Sequence, residues 1–141
     1  MNWVAIDLGG AYVKASVLDN ENQPMRLSYP MSNYETTLLL SEVVLTEDKK
    51  LLLGEEAIMY SLLSPETIVP DWKQSPHKLL VAEALFRRIN DAAAKYHKET
   101  NIGAVLLHDK IEDTSITNIA KKVFNDVKNF RSCDIINQRI F

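Results

Sequence analysis

The stretch VAIDLGGAYVKASVL, residues 4–18, decides how this chain is read. An apolar run ends in Asp7, Gly9 and Gly10 follow, and a second β-prone run begins at Tyr12. Residues 3–8 and 12–18 therefore read as an antiparallel hairpin whose turn uses the freedom of glycine at positive φ. Along the second run Val13, Ala15 and Val17 share one face and Lys14 and Ser16 the other. A glycine turn of this kind lets backbone N–H groups approach a phosphate, and a carboxylate at the strand end can hold a hydrated magnesium ion. Asp7 with Gly9 and Gly10 fits both parts, and the same four letters, Asp-Leu-Gly-Gly, also make a good tight turn.

Outward from the hairpin, MRLSYPM (25–31) reads as a third strand, and the apolar runs flanking TEDKK (46–50) as a second hairpin. Gly54 ends it, and EEAIMYSLL (55–63) starts a short helix with Glu55 and Glu56 placed favourably at its N-terminus. SPETIVPDWKQSP (64–76) carries three prolines and is expected to be an irregular joint. From about His77 to His97, Leu80, Ala84, Leu85, Ile89, Ala92, Ala93 and Tyr96 recur at helical spacing, with Arg87, Arg88, Asp91 and Lys95 on the wet side. NIGAVLLH (101–108) is a strand covered on both faces. A second helix is expected from a cap at Asp113 or Thr114 to about Asn129, and CDIINQ (133–138) as a last strand. The expectation is one α/β domain over residues 1–141, with a mixed sheet, two packed helices and a small inserted subdomain and joint at about 37–75.

A chain of 141 residues suits a single core. A net charge of -3 supplies no basic field for DNA or RNA. One cysteine, Cys133, forms no internal disulfide and has no histidine neighbour, so it reads as a small buried residue. His77, His97 and His108 lack zinc spacing, and His108–Asp109 reads as the start of a loop. Trp3 and Trp72 are expected to serve packing. The apolar runs are too short for a membrane span and no signal core opens the chain, so the expected location is the cytoplasm.

Residues 4–21, VAIDLGGAYVKASVLDNE, resemble the first phosphate motif of the actin-like ATPases, above all the seventy-kilodalton heat-shock chaperones (DnaK-like), where a strand ends in Ile-Asp-Leu-Gly-Thr-Thr. LLLGEEAIMYSLLSPETIVPDWK (51–73) resembles that family's strand, Gly-(Asp/Glu)-x-Ala helix, proline stretch and lysine, with its spacing between Pro65 and Lys73. DIINQ (134–138) stands where the family has Ile-Ile-Asn-Glu-Pro. The resemblance covers almost the whole chain in order. Filament and pilus-assembly relatives of actin and sugar kinases lack both the Gly-Glu-Glu-Ala helix and the proline-to-lysine spacing.

The resemblance implies the ribonuclease-H-like first lobe of an actin-like ATPase. It implies ATP or ADP with magnesium as cofactor, Asp7 near the metal, and Gly9, Gly10, Ala11 and Tyr12 at the phosphates. Lys73 becomes the catalytic lysine, reaching the γ-phosphate or orienting water. The departures bear on activity: the paired threonines fall on Gly10 and Ala11, Val-Pro-Ala is replaced within LLHDK (106–110), and the closing glutamate is Gln138. The family's second phosphate loop and adenosine loop come from later in a longer chain, so half the pocket is expected to lie outside this sequence. The implied function is a chaperone-type lobe that is not an ATPase on its own and binds a protein partner or a second copy. The expected face runs around residues 7–12, Lys73 and 137–141. The rival expectation is half of an active ATPase or kinase, completed by a second lobe.

Overall fold

The computed structural model describes residues 1–8, 12–18, 23–27, 29–30, 35–36, 39–40, 43–108 and 114–131. The chain is a mixed α/β protein. β1 (Asn2–Asp7) and β2 (Tyr12–Leu18) form the expected antiparallel hairpin, with Asp7 opposite Lys14 and Val4 opposite Val17. β3 (Pro24–Arg26) continues the meander along the second half of β2. Three two-residue strands follow, β4 (Tyr29–Pro30), β5 (Glu35–Thr36) and β6 (Leu39–Leu40); the first two pair with each other, and the third returns to the start of β2.

β7 (Val43–Leu45) and β8 (Leu51–Leu53) flank TEDKK as a separate hairpin. Its turn is closed by Thr46: its N–H donates to the Lys50 carbonyl at 2.9 Å, and its hydroxyl accepts from the Lys50 N–H at 3.0 Å. Lys49 takes up the positive φ, 63°, that the tight reversal demands. α1 (Gly54–Leu63) starts at once and packs back on this hairpin. The proline stretch then forms two short 3₁₀ turns, Pro65–Thr67 and Trp72–Gln74. It is tied to β7 by a bridge between Val44 and Ile68 and by the Val69 N–H on the Val43 carbonyl at 2.8 Å.

α2 (Lys78–His97), β9 (Ile102–His108), α3 (Thr114–Val123) and β10 (Asp126–Arg131) complete the order. β9 lies parallel to β1 and β10 parallel to β9, so the main sheet runs β10-β9-β1-β2-β3 with β6 also on β2. Sequence-adjacent strands are antiparallel here, and the parallel ones are separated by helices, as crossover connections require.

One face of the sheet carries Val4, Ile6, Leu8, Val13, Ala15, Val17, Ala104 and Leu106, all buried in one core with Val81, Leu85, Phe86 and Ile89 of α2 and Ile116, Ile119 and Ala120 of α3. Phe86 meets Phe124 edge-on at 5.9 Å between ring centroids, locking the two helices together. The alternate residues, Trp3, Ala5, Asp7, Lys14, Ser16, Val105 and Leu107, are only half-buried. Both described crossover helices therefore sit on one side. Gly103 is buried on the other side under Trp3, whose ring atoms lie 2.7 Å from where a Cβ would be built.

Two expectations are corrected. The helix expected to reach Asn129 ends at Val123: the Phe124 N–H still bonds the Ala120 carbonyl, but the Asn125 N–H bonds Ile102 and steers the chain into β10. Val127 lies four residues after Val123, so it extends the helical period by coincidence while also alternating with Asn129 and Arg131 along a strand. On α2 the buried face is centred on Val81, Ala82, Leu85, Phe86, Ile89 and Ala93, whereas Leu80 and Tyr96 are exposed. CDIINQ, with Cys133 and Gln138, lies outside the described residues. No helix among the described residues is long and apolar enough to cross a membrane.

Candidate functional site

The carboxyl ends of β1 and β9 lie side by side, because Asp7 is in register with Leu107 and the Leu8 N–H donates to the Leu107 carbonyl at 3.0 Å. Ligands of open α/β sheets bind beyond such ends. Asp7 is the last residue of β1 and projects from the half-buried face, with Lys14 its cross-strand neighbour. Leu8, next along, turns its side chain into the core.

Lys73 reaches this same place from far along the chain. Asp71 adopts a left-handed conformation (φ 44°, ψ 66°), which reverses the backbone into the turn Trp72–Gln74. Trp72 is buried in the main core and anchors that turn. The Lys73 ammonium then donates to the backbone carbonyl of Leu8, 6.0 Å from the centroid of the Trp72 ring. Both hydrogen-bonding groups around Leu8 are thereby used: its N–H by β9, its carbonyl by Lys73.

The structure thus brings Lys73 to the residue that follows Asp7. Tyr12 opens β2 and pairs with Leu40. Gly9, Gly10 and Ala11, and residues 137–141 of the expected partner face, lie outside the described residues. No group of three or more His, Cys, Asp or Glu side chains among the described residues is arranged to hold a metal ion. Asp7 is a single carboxylate, which suits magnesium only where phosphate oxygens and water supply the other ligands.

Sequence reasoning missed one polar cluster. His108, at the end of β9, is buried, and its Nε2 lies 3.3 Å from Oδ1 of Asn129 on β10. The hydroxyl of Thr117, on α3, donates to the same oxygen at 3.2 Å. An amide oxygen only accepts, so Nε2 is the donor in this contact. The cluster was hidden because Asn129 was assigned to a helix; the polar residue alternating with Val127 and Arg131 was the available signal.

Set against known protein families and curated proteins, the chain matches no family model and no curated protein. The likeness to the chaperone-type ATPases therefore rests on the residues that carry it.

Proposed function

We propose that this chain is a DnaK-like first lobe with the ribonuclease-H-like fold of the actin-like ATPases, acting as a non-catalytic protein-binding module. The fold part is supported by the sheet order, an antiparallel meander continued by two parallel strands on the β1 side. The observation that carries the reading is the Lys73–Leu8 contact. The chaperone register gives Lys73 the role of reaching the γ-phosphate or orienting water, whereas here its ammonium is engaged by the backbone carbonyl of Leu8 at the end of β1. In that role it ties the proline joint to the end of β1. Gly10 and Ala11 in place of threonines remove hydroxyls, and Gln138 in place of glutamate removes a negative charge, that the chaperone-type phosphate site uses.

Calorimetric titration of the chain with magnesium and ATP tests this. The expected result is no saturable heat up to about millimolar nucleotide; a micromolar dissociation constant overturns the proposal. The convergence of Asp7 and Lys73 at one strand end favours a second reading, half of an ATP-hydrolysing site completed by another lobe. It predicts magnesium-dependent hydrolysis on supplying that lobe, lost in Lys73→Ala.

A further inference from the structure

The helix α1 is fastened at both ends to one strand, while its middle is barely held. At its start, β8 runs antiparallel to β7 and α1 follows without a linker. Beyond its end the joint returns to β7, where Ile68 bridges Val44 and the Val69 N–H bonds the Val43 carbonyl at 2.8 Å. Val43 and its partner Leu53 face the main core, whereas Val44 and Ala57 are fully buried apart from it. The hairpin therefore turns one face to the domain and the other, Val44 with its cross-strand neighbour Leu52, to α1.

The grip of α1 on that face is slight. Its buried residues are its two smallest, Gly54 and Ala57, while Met59, Leu62 and Leu63 are 59%, 77% and 90% exposed. Burying an alanine methyl removes far less apolar surface from water than burying a leucine. The helix has 10 residues, and below about 12–15 a helix is marginal by itself. No side chain caps its first turn and no basic residue lies in its last. Oε2 of Glu55 is buried without a hydrogen-bond partner among the described residues, a further cost of the closed position.

Both ends are suited to bending. Gly54 takes a φ of 63°, open to glycine at little cost. At the other end the Ser64 carbonyl accepts the Thr67 N–H at 3.1 Å and the Thr67 hydroxyl at 2.6 Å, so the next turn is closed by bonds of its own. We propose that α1 is a flap: it detaches about Gly54 and Ser64 while β7, β8 and the joint stay folded, and its opening uncovers the apolar face of Val44 and Leu52. Elements that move are drawn from the low end of local stability, where few apolar side chains are buried. None of these residues belongs to the strand-end site.

The test is native-state hydrogen exchange of the full chain, read amide by amide by nuclear magnetic resonance. The N–H groups of residues 58–63, which bond within α1, are expected to be protected at least about a hundredfold less than those of residues 81–89 in α2. Their exchange should also be insensitive to low urea, because a local opening exposes little surface. The Val69 N–H and the ladder between β7 and β8 should stay better protected than α1. Ala57→Gly should speed exchange in α1 at least about fivefold, the helix-propensity cost of glycine, and leave α2 unchanged. Equal protection of α1 and α2 overturns the proposal, as does a Val69 N–H that exchanges at the rate of α1, since the whole subdomain would then open together. An Ala57→Gly variant that speeds α2 as much as α1 overturns it as well.

Discussion

The ammonium of Lys73 is held by the backbone carbonyl of Leu8, across 65 positions of sequence. It makes the irregular joint a brace for the hairpin rather than a loose connection. The joint meets β1 through a charge-assisted hydrogen bond, the stronger kind, while Trp72 holds its other side in the core.

Removing the brace therefore weakens the fold. Lys73→Met is expected to cost about 1–2 kcal/mol, the lower part of the range for hydrogen bonds to charged groups because the site is only part-buried. Urea denaturation should show a lower midpoint at unchanged slope. Since the proposed role is structural, magnesium and ATP should leave the midpoint unmoved in both proteins. A rise in the parent alone would report nucleotide binding to the native state and favour the enzyme reading.

The turn that presents Lys73 depends on Asp71, whose φ of 44° is tolerated by Asp, Asn and Gly but poorly by branched side chains. Asp71→Gly should leave stability within about 0.5 kcal/mol, whereas Asp71→Val should lose about 1–2 kcal/mol. Trp72→Ala, which empties a core position, should lose about 3–5 kcal/mol. Thermal unfolding of the three variants gives the ranking, and equal effects of Gly and Val at position 71 would contradict the left-handed assignment.

How far the sequence could be read is visible in these same elements. The hairpin of residues 4–18 was legible because alternation, a glycine turn and a carboxylate coincide in one short window. The meeting of Lys73 with the residue after β1 was not legible, since the family spacing singled out Lys73 for a role at phosphate and no local pattern tells a lysine in a proline-rich segment what lies across the fold. The end of α3 was misread because Val123 and Val127 satisfy the helical period, and only the tertiary bond from Asn125 to Ile102 shows the chain leaving the helix. Leu80 looked like core because it fits the apolar period of α2, yet position on the helix, not apolarity, decides burial. The polar cluster of His108, Thr117 and Asn129 joins three elements, so no single window contains it.

Gly103 is needed for space rather than for backbone freedom. A Cβ there would meet the Trp3 ring at 2.7 Å and the Met1 sulfur at 2.9 Å. Trp3 is also held from the other strand by Lys128, whose Nζ stands 4.8 Å from the ring centroid, so the ring is not free to swing aside without loss. Gly103→Ala is expected to destabilise by about 1–3 kcal/mol through overpacking. In a Trp72→Phe background the fluorescence should report a displaced Trp3. Combining Gly103→Ala with Trp3→Ala should cost less than the sum of the two single changes, since the clash disappears with the ring.

Asn129 concentrates the polar energetics of the sheet's far edge. Its one amide oxygen satisfies both the His108 ring N–H and the Thr117 hydroxyl, and both donors belong to buried residues on different elements. Asn129→Leu keeps the size and removes the acceptor, leaving two donors without a partner, which should cost about 2–4 kcal/mol. Adding Thr117→Val removes one orphaned hydroxyl and should restore part of the loss, a coupling that a double-mutant cycle measures directly. Nitrogen-15 spectra of the imidazole provide an independent readout: the Nε2 resonance of His108 should carry the signature of a donor to an amide oxygen in the parent and lose it in Asn129→Leu. If the double variant is no more stable than Asn129→Leu alone, the shared oxygen is not what binds α3 to β9 and β10.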